Sequence, residues 1–135
     1  MASSESDSLR VLVVDDSVVV RQRLRLMIEE QALVEVVGEA ADGQQGLEAV
    51  RRLRPDAMVL DLWMRGVDGI DLLERVREEK IPVTVIILTN YPLPQYEARC
   101  RALGADHFFD KSSQFEKVLS TLGDLAELRG FGTQL

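Results

Sequence analysis

The stretch VLVVDDSVVV, residues 11–20, runs four apolar residues into two adjacent aspartates and then returns to valine. Carboxylates avoid the end of a buried segment unless they cap a helix or hold something positive. Residues 11–14 have the composition of a strand covered on both faces, and Ser17 is placed to cap a helix that follows. Two readings of Asp15 and Asp16 stay open at this point: acids that meet a helix macrodipole, or ligands of a cation.

Working outward, short apolar runs recur at residues 34–37, with Glu35 interrupting, and at 57–60, 83–88 and 107–109. These predict four more strands, the second shorter and more polar, as an edge strand can be. Between them the apolar spacing is helical. Val20, Leu24, Met27 and Ile28 share one face of a first helix, and Leu47, Val50 and Leu53 do so in a second. Ile70, Leu73 and Val76 mark a third, Tyr96, Cys100 and Leu103 a fourth, and Phe115, Val118, Leu119, Leu122 and Leu125 a fifth. Asp42-Gly43 opens the second helix, Arg54-Pro55 closes it, Gly104 ends the fourth, and Ser113 is expected to cap the last. Five strands alternating with five helices predict an α/β domain with a parallel sheet covered on both faces.

A chain of 135 residues, 46% hydrophobic, has the length of one domain. Its formal charge of −7 opposes binding to a phosphate backbone, so nucleic acid is not an expected direct partner. Cys100 is the sole cysteine, which excludes an internal disulfide and a multi-cysteine zinc site and fits a reducing cytoplasm. No apolar run is long enough to span a bilayer, so no membrane partner is expected. Residues 1–8 read as a flexible tail, 9–128 as the domain, and 129–135 as a short C-terminal tail.

Ligands in such sheets collect outside the carboxyl ends of the strands. That rule gathers Asp15 and Asp16 from the first strand, Asp61 from the third, Thr89 from the fourth, and Asp110 and Lys111 from the fifth. Carboxylates sharing one pocket repel, and a bound cation or raised pKa values must relieve the strain. Oxygen donors without a His or Cys cluster favour Mg2+, with Mn2+ as a substitute.

These residues also carry a likeness. From Leu9 to about Leu128 the chain resembles a response-regulator receiver domain, of the stand-alone chemotaxis-regulator kind. The matching positions are Asp15-Asp16, Asp61 with Met64, Gly66, Asp68 and Gly69, then Thr89, then Lys111. The resemblance implies a flavodoxin-like, doubly wound (βα)5 fold with strand order 2-1-3-4-5. It implies that Asp61 accepts a phosphoryl group from a sensor histidine kinase or phosphotransfer protein. Asp16, Asp61 and the Trp63 carbonyl would bind magnesium directly, and Asp15 through water. Lys111 and the Thr89 hydroxyl would contact the phosphoryl oxygens. Phe108 holds the aromatic switch position and is expected to rotate into space that Thr89 vacates, although a ring that is simply buried has equal standing. Output would pass to a downstream protein, to an output domain outside these residues, or to a homodimer through the fourth helix, fifth strand and fifth helix.

Departures from the family pattern bear on kinetics. Arg65 replaces the usual proline of the loop, Ser112 replaces the proline after the lysine, and Asn90-Tyr91 is bulkier than the small residue typical after the threonine. A cis bond without proline costs on the order of 3 kcal/mol, so Lys111-Ser112 is expected to be trans. Three other function classes fit the sequence less well. A phosphohydrolase would carry a second acid where Trp63 stands. A phosphorylation-independent interaction module would not need Thr89 and Lys111. A flavin carrier would need a hydroxyl- or glycine-rich loop where DDSVVV stands.

Overall fold

The computed structural model describes residues 8–64 and 68–134, with side chains through Arg129. Most of the expected N-terminal tail, and Arg65 and Gly66 of the loop after Asp61, lie outside the described residues. Among the described residues five strands form: β1 Leu9–Val14, β2 Val34–Ala40, β3 Ala57–Leu60, β4 Thr84–Thr89 and β5 His107–Asp110. Five helices alternate with them: α1 Val18–Glu29, α2 Gly43–Leu53, α3 Gly69–Glu78, α4 Pro94–Ala102 and α5 Phe115–Gln134. The strands pair in parallel in the order β2-β1-β3-β4-β5.

Alternation along each strand splits the interior in two. Leu12, Val14, Met58, Leu60, Val85 and Ile87 pack beneath α2, α3 and α4. Their neighbours Val11, Val13, Ala57, Val59, Ile86 and Leu88 pack beneath α1 and α5. Because both faces are covered, the inner strands carry unbroken apolar runs (residues 11–14, 57–60 and 85–88), which is why these stand out in the sequence.

The caps follow the local chemistry. Ser17 Oγ accepts the Val20 N–H at 3.2 Å, Asp42 accepts the Gln45 N–H at 2.8 Å, and Asp68 accepts the Asp71 N–H at 2.9 Å. Arg54 closes α2 in the left-handed conformation, with φ 47°, and donates its N–H to the Val50 carbonyl. Gly104 follows α4 at φ 102°, a value that favours glycine.

Three expectations need correction. β2 is the longest strand rather than a short one, because the β1–β2 register shifts between Val11 and Leu12. The pairing passes from Val36 to Gly38, so Val37 is the extra residue of a bulge and the strand continues beyond it. Ser113 does not cap α5: its hydroxyl donates to Asp110 Oδ2 at 3.0 Å, and the helix starts two residues later. Nor is 129–135 a tail, since α5 continues to Gln134, with Arg129 anchored on Asp56 at 3.0 Å.

Candidate phosphoryl and metal site

Parallel register builds the site. The N–H of Asp15 donates to the Ala40 carbonyl and that of Asp61 to the Val14 carbonyl, each at 3.0 Å. The first residue after β1 and the first after β3 are thereby set side by side. On the other flank the Lys111 N–H donates to the Thr89 carbonyl at 2.7 Å, which brings the end of β5 to the end of β4. Gly69 is required beneath this rim, because a Cβ there would stand 2.3 Å from the Asp61 carbonyl oxygen.

Carboxylate oxygens of Asp15, Asp16 and Asp61 converge within 4.8 Å of one another. Asp15 and Asp61 are buried, whereas Asp16 faces solvent. Lys111 Nζ reaches into the group, 2.7 Å from Asp15 Oδ2 and 3.4 Å from Asp61 Oδ2. The other Asp15 oxygen accepts the Ser17 N–H at 2.9 Å, and Asp61 Oδ1 accepts the Trp63 N–H at 3.3 Å. Arg21 steadies the turn from behind, donating to the Asp15 carbonyl at 2.6 Å and pairing with Glu39.

Burial lifts the Asp61 pKa above the usual carboxylate value; the Lys111 charge opposes that rise and the Asp15 charge adds to it. Burial alone would lower Lys111, but its hydrogen bond to Asp15 and the charges of Asp61 and Asp15 prevail and hold it above its ordinary value. Among the described residues, one ammonium stands beside the three carboxylates and contacts two of them. The oxygen-only donor set and the surplus negative charge fit a hard divalent cation such as Mg2+. The groups surround a cavity of about 360 Å³ lined also by Ser17, Val20, Trp63, Asn90 and Tyr91.

The remaining singled-out residues fall around this centre. Thr89 is fully buried, and its Oγ1 accepts the Tyr91 N–H at 3.0 Å. Phe108 lies inside the core, 7% exposed, in the cluster that holds Ile87 and Cys100. Trp63 is exposed and meets Tyr91 and Tyr96 edge-on, with ring centroids 5.8 and 5.2 Å apart. Asp68 is a helix cap, and Met64 packs against the core. Lys111-Ser112 is trans, as the missing proline predicts. His107 stacks on Phe109, and burial pushes the Cys100 thiol up to about 11.

Ser17, Arg21 and Asn90 had no assigned place at the site in the sequence reading. Ser17 and Asn90 directly follow singled-out residues, which is a usable signal. Arg21 acts through a backbone carbonyl, which no spacing rule reveals.

The family described as response regulator receiver domain matches residues 11–123. Among curated proteins, a protein-glutamate methylesterase/protein-glutamine glutaminase of Methanospirillum hungatei is 35% identical over 87% of this chain and 35% of its own length. The virulence factors putative positive transcription regulator BvgA of Bordetella pertussis is 32% identical over 82% of this chain and 53% of its own. The chain therefore spans only part of these relatives. The receiver domain of the putative response regulator NarL from Mycobacterium tuberculosis superposes with a TM-score of 0.82 at 30% identity, covering 89% of this chain and 97% of that one. The response regulator domain of Thermotoga maritima CheB gives a TM-score of 0.79 at 30% identity, covering 90% and 96%. No described helix is long and apolar enough to cross a membrane. With its strand order, its acidic rim and these likenesses in agreement, the chain belongs to the response regulator receiver domains of two-component signalling.

Proposed function

We propose that Asp61 is the phosphoryl acceptor of this receiver and that it takes the group from a sensor histidine kinase or phosphotransfer protein. The observation that carries the reading is the convergence of three carboxylates with Lys111 bridging Asp15 and Asp61. Asp16, Asp61 and the Trp63 carbonyl would hold Mg2+, and Asp15 would hold it through water. The ion would supply neutralisation of the charge on the phosphoryl oxygens.

The chain's own groups do the rest. An Asp61 oxygen bonds to phosphorus as the phosphorus–nitrogen bond of a phosphohistidine breaks, and the released imidazole nitrogen takes a proton from solvent. Lys111 exchanges a carboxylate contact for a phosphoryl oxygen, keeping a counter-charge on the growing anion. The Thr89 hydroxyl, which now accepts from Tyr91, turns its proton toward a phosphoryl oxygen and so gives the 89–91 segment a different set of partners in the two states. With Phe108 already inside, that segment rather than an inward ring flip starts the change that a downstream protein or output domain reads. The chain catalyses only its own phosphorylation and dephosphorylation, and Trp63 in place of a second acid disfavours metabolite hydrolysis.

Incubation with acetyl phosphate or phosphoramidate and Mg2+, followed by intact mass, tests the proposal. A phosphoryl adduct on the wild type and none on Asp61→Asn is expected; no adduct on either, or adducts on both, refutes it.

A further inference from the structure

Large exposed apolar side chains are not spread evenly. Among the described residues of α4, β5 and α5, Leu128 is the single one, whereas α1 and the loop after it carry Val18, Val19, Leu26 and Leu33. Val19 is 72% exposed, Leu26 71% and Leu33 53%. At 100° per residue, Val19 and Leu26 fall opposite the buried Leu24 and Ile28 and are stacked two turns apart, the spacing through which helices pack on helices. Leu33 continues the seven-residue interval past the helix end. It holds a left-handed backbone, φ 69°, which is uncommon for a leucine and leaves an apolar side chain in water.

Charge order along α1 says what covers this stripe. Arg21, Arg23 and Arg25 lie along its first two turns and middle, and Glu29 and its C-cap Glu30 at the carboxyl end. A parallel copy would set like charges together. An antiparallel copy related by a two-fold axis at Leu26 sets Arg23 against Glu30 of its mate, Leu26 against Leu26, and Val19 against Leu33. Arg23 is already held over the Phe115 ring, 4.5 Å from its centroid, so little side-chain freedom is left to lose. Arg21 and Arg25 are already paired with Glu39 in their own chain, which leaves Arg23 and Glu30 as the charges offered across the axis.

We infer that this receiver self-associates into an isologous dimer through antiparallel α1 helices, with the occupant of the stripe being a second copy of the chain. The α4–β5–α5 surface expected from the family resemblance shows Leu128, with Tyr91 and Leu93 at the start of α4, but no such stripe along one helix face among the described residues. Because the axis passes through Leu26, each substitution there acts on both copies at once.

Sedimentation velocity of the full chain across a concentration series tests this. Wild type is expected to pass from monomer to dimer, and Leu26→Glu to weaken dimerisation by at least about 30-fold. Leu26 is mostly in water, so the variant is expected to fold, and circular dichroism checks that it does. Arg23→Glu and Glu30→Arg each weaken association, and the double exchange restores it. A chain that stays monomeric at near-millimolar concentration, leaving the stripe to some other partner, overturns the inference. So does a dimer that survives Leu26→Glu, or charge exchanges whose effects simply add.

Discussion

At the amino ends of the strands, Asp56 and Asp106 are the counterparts of Asp15, Asp16 and Asp61 at the carboxyl ends, yet each is closed by donors. Asp56 accepts the Arg10 N–H at 2.8 Å and pairs with Arg129 at 3.0 Å. Asp106 Oδ2 accepts the Val85 N–H at 2.8 Å and pairs with Arg77 at 3.3 Å. There an acid ties a strand start to a loop, and guanidinium groups answer the charge. At the opposite rim, among the described residues, Asp15 and Asp61 share Lys111, and Asp16 lines the same cavity. Residue type is the same at both rims; the surplus of charge over donors distinguishes a site from a clasp.

The largest expected effect separates the two rims outright. Asp61→Asn abolishes phosphoryl uptake from phosphoramidate, measured by intact mass, while Asp56→Asn leaves it unchanged. Next comes Lys111→Ala, which is expected to slow uptake by about 10²–10³-fold, the scale of losing one donor to a developing oxyanion. Stopped-flow Trp63 fluorescence follows that rate.

Stability runs the other way. Asp56→Ala strips the Arg10 N–H of its acceptor and removes one ion-pair partner of Arg129, and is expected to cost about 1–3 kcal/mol, read from the urea midpoint. Asp61→Asn is expected to stabilise by about 1 kcal/mol at neutral pH, the ordinary size of a single-residue effect. Its sign follows from linkage. The folded pKa of Asp61 is raised, so the folded state holds that proton more tightly, and the resulting stability is present in acid and lost as pH rises through the folded pKa. Removing the carboxylate therefore helps above the carboxylate range, and the advantage disappears below about pH 4. A variant advantage that grows in acid would contradict the raised pKa.

Much of this contrast was legible in residues 11–20 and in the ends of the later apolar runs. Continuous runs such as residues 57–60 announce a strand because both faces are covered, and the rim rule then assigns the residues that follow. β2 was misjudged because Val37 bulges and Gly38-Glu39 breaks the apolar pattern, although Glu39 pairs with Arg21 and Arg25. The end of α5 was misplaced because what holds Arg129 is Asp56, 73 residues away. Ser113 fits a cap in sequence, but Asp110 takes its hydroxyl. The pose of Phe108 and the apolar weight of α1 depend on tertiary packing, which local pattern does not carry.

The central claim is that Asp15, Asp16 and Asp61 hold one divalent cation. Trp63 is the sole tryptophan, its backbone N–H donates to Asp61 and its side chain lines the same cavity, so its fluorescence during a Mg2+ titration, with calorimetry in parallel, tests the claim most directly. A saturable signal at millimolar Mg2+, weakened in Asp16→Asn, is the predicted result. No heat and no fluorescence change at tens of millimolar would contradict it.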